Sequence, residues 1–213
     1  MVLAVLFLPT AAPAAEAEID HLAQILQLRP GSVVADIGAG SGEVSIAIAK
    51  FVAPTGKVYA TEIDPKLLDK IRRAAQTANA RNVIVVVAHE HDTGLPSNSC
   101  DAIFLREVYH HLTDPLGIDR SLYQTMRPGG RLAIIDFDPS QRPGEAIPPG
   151  VPANRGGHGV PMRIVGDELT RSGFEQVETI EWPISATIEH YCMLFRKPSA
   201  SPMAKPKAST NLP

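Results

Sequence analysis

The run Val33-Val34-Ala35-Asp36-Ile37-Gly38-Ala39-Gly40-Ser41-Gly42 decides how this chain folds. Its first half is a short apolar segment with the look of a buried strand. Its second half places glycine at every other position, and an apolar helical pattern follows at once. A strand that breaks into a glycine turn and then a helix makes a cradle for a small ligand. Glycine lets the backbone come close to that ligand because no Cβ intervenes. The first N–H groups of the helix point toward whatever fills the turn. The spacing weighs against a dinucleotide fingerprint, which reads G-x-G-x-x-G. Gly38 and Gly40 fit it, but Glu43 stands at its third position and glycine arrives one residue early, at Gly42. An acidic residue, Asp36, precedes the first glycine by two places.

The 213 residues suffice for one α/β domain with a sizeable core. With 44% hydrophobic and 20% charged residues, the bulk of the chain reads as globular. A net charge of −3 gives no reason to expect a nucleic acid partner. Cys100 and Cys192 lack metal-ligand spacing and both fall in predicted strands, where buried free thiols are common. At the N-terminus, Val2 to Leu8 is apolar but too short to span a bilayer, so no stable membrane span is expected. Ala12-Pro13-Ala14 has the form of a cleavage site, so residues 1–15 resemble a secretory signal peptide, although no basic segment precedes Val2. The other reading is a frayed N-terminus, and localisation stays open between exported (periplasmic) and cytoplasmic. Residues 16–197 are expected to form the domain, and the Pro-, Ser-, Ala- and Lys-rich residues 198–213 a disordered tail.

Outward from the glycine turn, predicted strands and helices alternate. A helix over Glu16–Leu28 is stopped by Arg29-Pro30-Gly31. Strands are predicted at Ser32–Ile37, Lys57–Ile63, Val83–Ala88, Asp101–Leu105 and Arg131–Phe137. Helices follow the first, second and fourth of them. Asp64-Pro65 and Asp114-Pro115 each start a helix, with Asp as N-cap and Pro in the first turn. The almost wholly apolar third strand implies a sheet covered on both faces. Arg127-Pro128-Gly129-Gly130 reads as a sharp stop before the fifth strand. Asp138–Pro161, rich in Pro and Gly, reads either as a lid carrying Arg155 and His158 or as a disordered insertion. A short helix over Ile164–Ser172 and two further strands, Phe174–Trp182 and Glu189–Arg196, complete the pattern. The sum is a parallel, doubly wound, Rossmann-like sheet.

In such a sheet ligands bind beyond the carboxyl ends of the strands, near the point where strand order reverses. Polar residues stand at these points. Asp36 ends the first strand and Glu62 the second, where a carboxylate can accept bonds from both hydroxyls of a ribose. Glu90, His91 and Asp92 follow the third, and Arg106 and Glu107 follow the fourth. His89, His91, His110 and His111 fall in two of these loops and are the candidates for meeting around a metal ion. No H-E-x-x-H or Cys/His spacing supports a metal, and none is expected.

Asp36-x-Gly38-x-Gly40-x-Gly42 resembles the first motif of the class I S-adenosyl-L-methionine-dependent methyltransferases, of the type 11/25 kind. Val58–Asp64 resembles that family's second motif. Leu95-Pro96 through Ser99-Cys100-Asp101-Ala102-Ile103 resembles the segment before its fourth strand, and Arg127–Leu132 the turn before its fifth. The resemblance implies a seven-stranded sheet, mostly parallel, with an antiparallel last strand. It implies S-adenosyl-L-methionine as cofactor, with Gly38, Gly40 and Gly42 against its methionine part, Asp36 near its amino group and Glu62 on its ribose. Asp64 competes for the ribose, and Glu90, ahead of His91 and Asp92, is the expected adenine contact. Arg106 is expected among the cofactor-binding residues. Tyr109 would wall the methyl site and His110 would act as base for a small-molecule acceptor. The Pro-Gly-Gly turn looks like that of quinone-biosynthetic and other small-molecule methyltransferases. Thr55-Gly56-Lys57-Val58 resembles protein isoaspartyl methyltransferases, whose downstream segments fit less well. The alternatives are a module that binds S-adenosyl-L-methionine without turnover and a nicotinamide-dependent oxidoreductase, which Glu43 disfavours.

Overall fold

The computed structural model describes residues 12–182 and 188–199. The apolar leader Val2–Leu8 and residues 200–213 of the expected tail lie outside the described residues.

Strands β1 (Val33–Ile37), β2 (Lys57–Glu62), β3 (Val83–Val87), β4 (Cys100–Arg106), β5 (Met126–Phe137), β6 (Glu175–Trp182) and β7 (His190–Arg196) form one sheet. Its order is β3-β2-β1-β4-β5-β7-β6. The first five strands run parallel, while β7 lies between β5 and β6 and is antiparallel to both. From β1 the chain winds outward to β3, then returns to β4 on the other side of β1. Strand order therefore reverses between β1 and β4, and the crevice opens at their carboxyl ends.

Helices cover both faces. On one face α1 (Ala12–Ile25) and α2 (Glu43–Val52) bury Leu22, Ala23, Ile48 and Val52 against Val34, Val58 and Phe104. Beside them lies α3 (Pro65–Thr77), which buries Leu68, Ile71 and Ala75. On the other face α4 (Pro115–Thr125) and α5 (Met162–Arg171) bury Ile118, Leu122, Val165 and Leu169 against Ile103, Leu105 and Ile134. Each such aliphatic side chain stabilises the fold by roughly 1.5–3 kcal/mol. The two Asp-Pro starts behave as expected. Asp64 accepts from Lys66 N at 2.8 Å and Asp114 from Gly117 N at 3.0 Å. Asp101 has a structural task, accepting from Val33 N at 2.8 Å and Arg127 Nη1 at 2.5 Å, so that one carboxylate ties β1, β4 and β5 together.

The sheet is covered on both faces as expected, and β3 is its edge strand: Ile84 is 39% and Val87 49% exposed, and no described strand pairs beyond it. Two expectations are corrected. Arg127–Gly130 stops α4 but is not a turn ahead of β5. It belongs to that strand, where the register to β4 shifts between Cys100 and Ala102. Gly129, at φ 81°, lies in the bulged stretch. The Asp138–Pro161 segment is not a disordered insertion. It contains two short 3₁₀ turns, Pro139–Gln141 and Ala153–Arg155, and is pinned by fully buried Arg155, whose Nη1 and Nη2 each donate to Glu168 at 3.0 Å.

Candidate active site

The glycine turn sits at the β1–β4 crevice. Gly38, Gly40 and Gly42 have φ of 72°, 55° and 83°, all left-handed. Two of them are glycine for packing as well. A Cβ on Gly38 would stand 2.6 Å from Val108 Cγ2, and one on Gly42 would stand 2.9 Å from Ile71 Cγ2. Gly40 differs, since a Cβ there would meet nothing within 4 Å. Its missing side chain keeps space open.

Glu62, at the end of β2, is nearly buried and closes the base of the turn. Its Oε2 accepts from Gly40 N at 3.0 Å, and its Oε1 from Ile63 N at 2.7 Å and Asp64 N at 3.2 Å. Three backbone donors fix this carboxylate before any ligand arrives. Asp36 lies deeper and accepts from Ser45 Oγ at 2.5 Å. Burial pushes its carboxyl up to about 7, although the Ser45 hydrogen bond and the charge of Arg106 pull the other way. A cation arriving near Asp36 would offset that burial penalty.

From Gly38 and Glu62 a cavity of about 390 Å³ extends past Ala88, His89 and Glu90 to Val108 and His111. That volume lies in the range of small-ligand sites. Residues 89–92 form a tight turn closed by His89 N donating to Asp92 O at 2.8 Å. Asp92 spends its carboxylate on Gly94 N at 2.6 Å, whereas Glu90 lines the cavity. Asp64, the competing ribose candidate, is the N-cap of α3.

At the far end of the cavity the chain after β4 makes a 3₁₀ turn, Tyr109–His111. It turns His110 inward, where Nδ1 meets Asp136 Oδ1 at 2.7 Å and the backbone N donates to Asp136 Oδ2 at 3.2 Å. His111 stays on the cavity wall, and burial, followed by the neighbouring His110 and His158, lowers its pKa. His158, from the long loop, stacks near both, with ring centroids 5.1 Å from His110 and 5.5 Å from His111. His89 and His91 do not join this group; the third histidine comes from the loop instead.

Two expected site residues are placed elsewhere. Tyr109 does not wall the methyl site. The turn that frees His111 drives Tyr109 into the core, where its hydroxyl reaches Asp119 at 3.0 Å and Glu168 at 2.9 Å. Arg106 does not line the cavity. Its Nε donates to Glu18 of α1 at 2.7 Å and its Nη1 lies 3.4 Å from Glu107, so it braces α1. Sequence reasoning missed Asp136, Glu168 and the partnership of His158. Asp136 was within reach, because it ends the fifth strand just as Asp36 and Glu62 end the first two.

A family model described as "Methyltransferase domain" matches residues 35–134. That span includes the glycine turn, Glu62, Glu90, His110 and His111, and ends before Asp136 and His158. A protein-L-isoaspartate O-methyltransferase of Aeropyrum pernix is 32% identical over 119 residues, which is 54% of this chain and 43% of that protein. The ubiquinone/menaquinone biosynthesis C-methyltransferase UbiE of Escherichia coli is 30% identical over 111 residues, 52% of this chain and 44% of that protein. The match thus spans less than half the length of either curated relative. A SAM-dependent methyltransferase from Aquifex aeolicus superposes with a TM-score of 0.70 at 22% identity, over 89% of this chain and all of that one. That last likeness is one of fold. The family-model match over residues 35–134 and the seven-stranded sheet order are similar to those of the class I S-adenosylmethionine-dependent methyltransferases.

Proposed function

We propose that the chain transfers a methyl group from S-adenosyl-L-methionine to a small-molecule acceptor. The observation that carries this reading is the open space at Gly40, whose N–H donates to the pre-set Glu62 carboxylate, while Gly38 and Glu62 themselves line a cavity of small-ligand size. The methionine part of the cofactor would run over Gly38, Gly40 and Gly42, with Asp36 beneath its ammonium group. Glu62 would accept from the ribose hydroxyls with lone pairs its backbone donors leave free, and Glu90 would face the adenine.

A sulfonium methyl is already electrophilic, so the protein's share is alignment and exclusion of water. The acceptor belongs on the His111 side, where the cavity ends. There His110, oriented through Nδ1 by Asp136, has Nε2 for one of two tasks: taking the acceptor's proton or holding an electrophile. Kinship to proteins named for quinone and isoaspartate methylation supports the reaction class and leaves the acceptor undecided.

Thermal shift of the full chain with S-adenosyl-L-methionine, its demethylated product and NAD tests the cofactor. The first two should raise the melting temperature and NAD should not. Stabilisation by NAD alone overturns the reading. Release of S-adenosylhomocysteine in the presence of phenol, quinol, amine and thiol acceptors then tests turnover. Binding without release across that panel would favour a module that holds the cofactor without reacting it.

A further inference from the structure

Methyl transfer by alignment uses no more than one histidine, yet three converge beside the cavity. His110, His111 and His158 place one ring nitrogen each within 4.8 Å of the others. No other group of three His, Cys, Asp or Glu side chains converges this way among the described residues. Two of the rings pair through Nδ1 with carboxylates. His110 Nδ1 meets Asp136 Oδ1 at 2.7 Å, and His158 Nδ1 meets Glu145 Oε2 at 2.5 Å. An imidazole that donates Nδ1–H to a carboxylate presents a bare Nε2 lone pair. This carboxylate–histidine pairing is the usual outer support of a metal-ligating histidine. The carboxylates are themselves anchored, Asp136 by the backbone N–H of Phe137 at 2.9 Å and Glu145 by Arg142 at 3.3 Å.

From this geometry we propose that His110, His111 and His158 bind one first-row divalent cation of the Zn²⁺ class, next to the acceptor end of the cavity. Three neutral imidazoles suit Zn²⁺ and leave a fourth position open. With Zn–N bonds of about 2.0–2.1 Å, tetrahedral ligand atoms lie about 3.4 Å apart, so the rings must draw together on loading. His158 is the one ligand of the three that comes from the long loop and not from the turn after β4. The site itself stands without the methyl-transfer reading, and only its use rests on that reading. In that use the open position takes a lone pair of an oxygen, nitrogen or sulfur acceptor and eases loss of its proton to solvent. The acceptor atom then bonds the methyl carbon as the carbon–sulfur bond breaks, and that bond's electron pair stays on sulfur as a neutral thioether. A ligating His110 Nε2 cannot also serve as base, so the cation replaces it in that role.

The test uses the untagged full chain, stripped with chelator and titrated with Zn²⁺ by calorimetry and with Co²⁺ by visible absorption. One equivalent of Zn²⁺ should bind, and Co²⁺ should show bands of imidazole coordination. His158→Ala and His111→Ala should weaken binding at least a hundredfold, and Glu145→Gln about 10–100-fold. His91→Ala should change nothing. The thermal shift with S-adenosylhomocysteine, measured on each variant, reports folding and the cofactor reading separately. No saturable uptake by the wild type, or undiminished uptake by His158→Ala and Glu145→Gln together, overturns the proposal.

Discussion

Replacing Gly40 with alanine separates the fold from the ligand site. Gly40 sits at φ 55°, a left-handed conformation that costs alanine about 1–2 kcal/mol. The loss of a glycine's freedom in the unfolded chain returns about 0.4–1 kcal/mol. The new Cβ meets nothing within 4 Å, so no steric cost is added. The net loss is about 1 kcal/mol, which lowers Tm by about 2–4 °C for a chain of this size. Ligand at a hundred times its Kd stabilises by about 2.7 kcal/mol, a rise of about 5–11 °C on the same scale. The Cβ of Gly40→Ala occupies the space a bound methionine chain needs. Differential scanning fluorimetry should therefore show an empty protein only slightly less stable and a rise with S-adenosylhomocysteine cut by more than half. Gly38→Ala is the foil. Its Cβ lies 2.6 Å from Val108 Cγ2, so the empty protein itself should lose more stability than in Gly40→Ala. An undiminished ligand-induced rise in Gly40→Ala would refute the placement of the cofactor over this turn.

Four further outcomes are expected. The Asp36 carboxyl stands near 7 in the fold and near 3.8 unfolded, so between those values the folded chain holds a proton the unfolded chain has released. Its contribution to stability is therefore present below about pH 4 and is lost as pH rises toward 7, and Asp36→Asn should flatten that part of a Tm-against-pH curve. Binding of a ligand that carries an ammonium group should release protons near pH 7, visible by calorimetry in buffers of differing ionisation enthalpy, and Asp36→Asn should release none. Tyr109→Phe should cost about 1–3 kcal/mol in urea unfolding, because it leaves buried Asp119 and Glu168 short of a donor, while turnover stays unchanged. Arg155→Met should cost about 3–5 kcal/mol by stranding Glu168, and should raise hydrogen exchange across residues 142–160.

Much of the architecture could be read directly because the chain punctuates itself. Asp64-Pro65 and Asp114-Pro115 mark helix starts through local chemistry, and local chemistry survives folding. What depended on neighbours did not read. Val83–Val87 has the composition of a central strand, and only the sheet order reveals that no described strand pairs on its outer side. The bulge at Gly129 exists relative to β4, so it has no signature in β5 alone. That Glu62 and Glu90 line the cavity was legible because strand ends point at the crevice, whereas Asp36 lies buried beneath the turn. Tyr109 and His111 are two residues apart, and only the handedness of a 3₁₀ turn decides which faces the cavity. His158 belongs to a loop whose path is set by Arg155 reaching Glu168, a pairing no periodicity announces.

The sheet has two rims, and they are defended unequally. Along β6 the outer rim carries Glu175, Glu178 and Glu181, so a second copy approaching it meets its own negative charge. Along β3 the rim is Val-Ile-Val-Val-Val, with no charge and no proline to discourage backbone pairing. If this protein self-associates on concentration, β3 is the rim expected to pair first, and a lysine in place of half-exposed Val87 should suppress it, checked by light scattering against concentration.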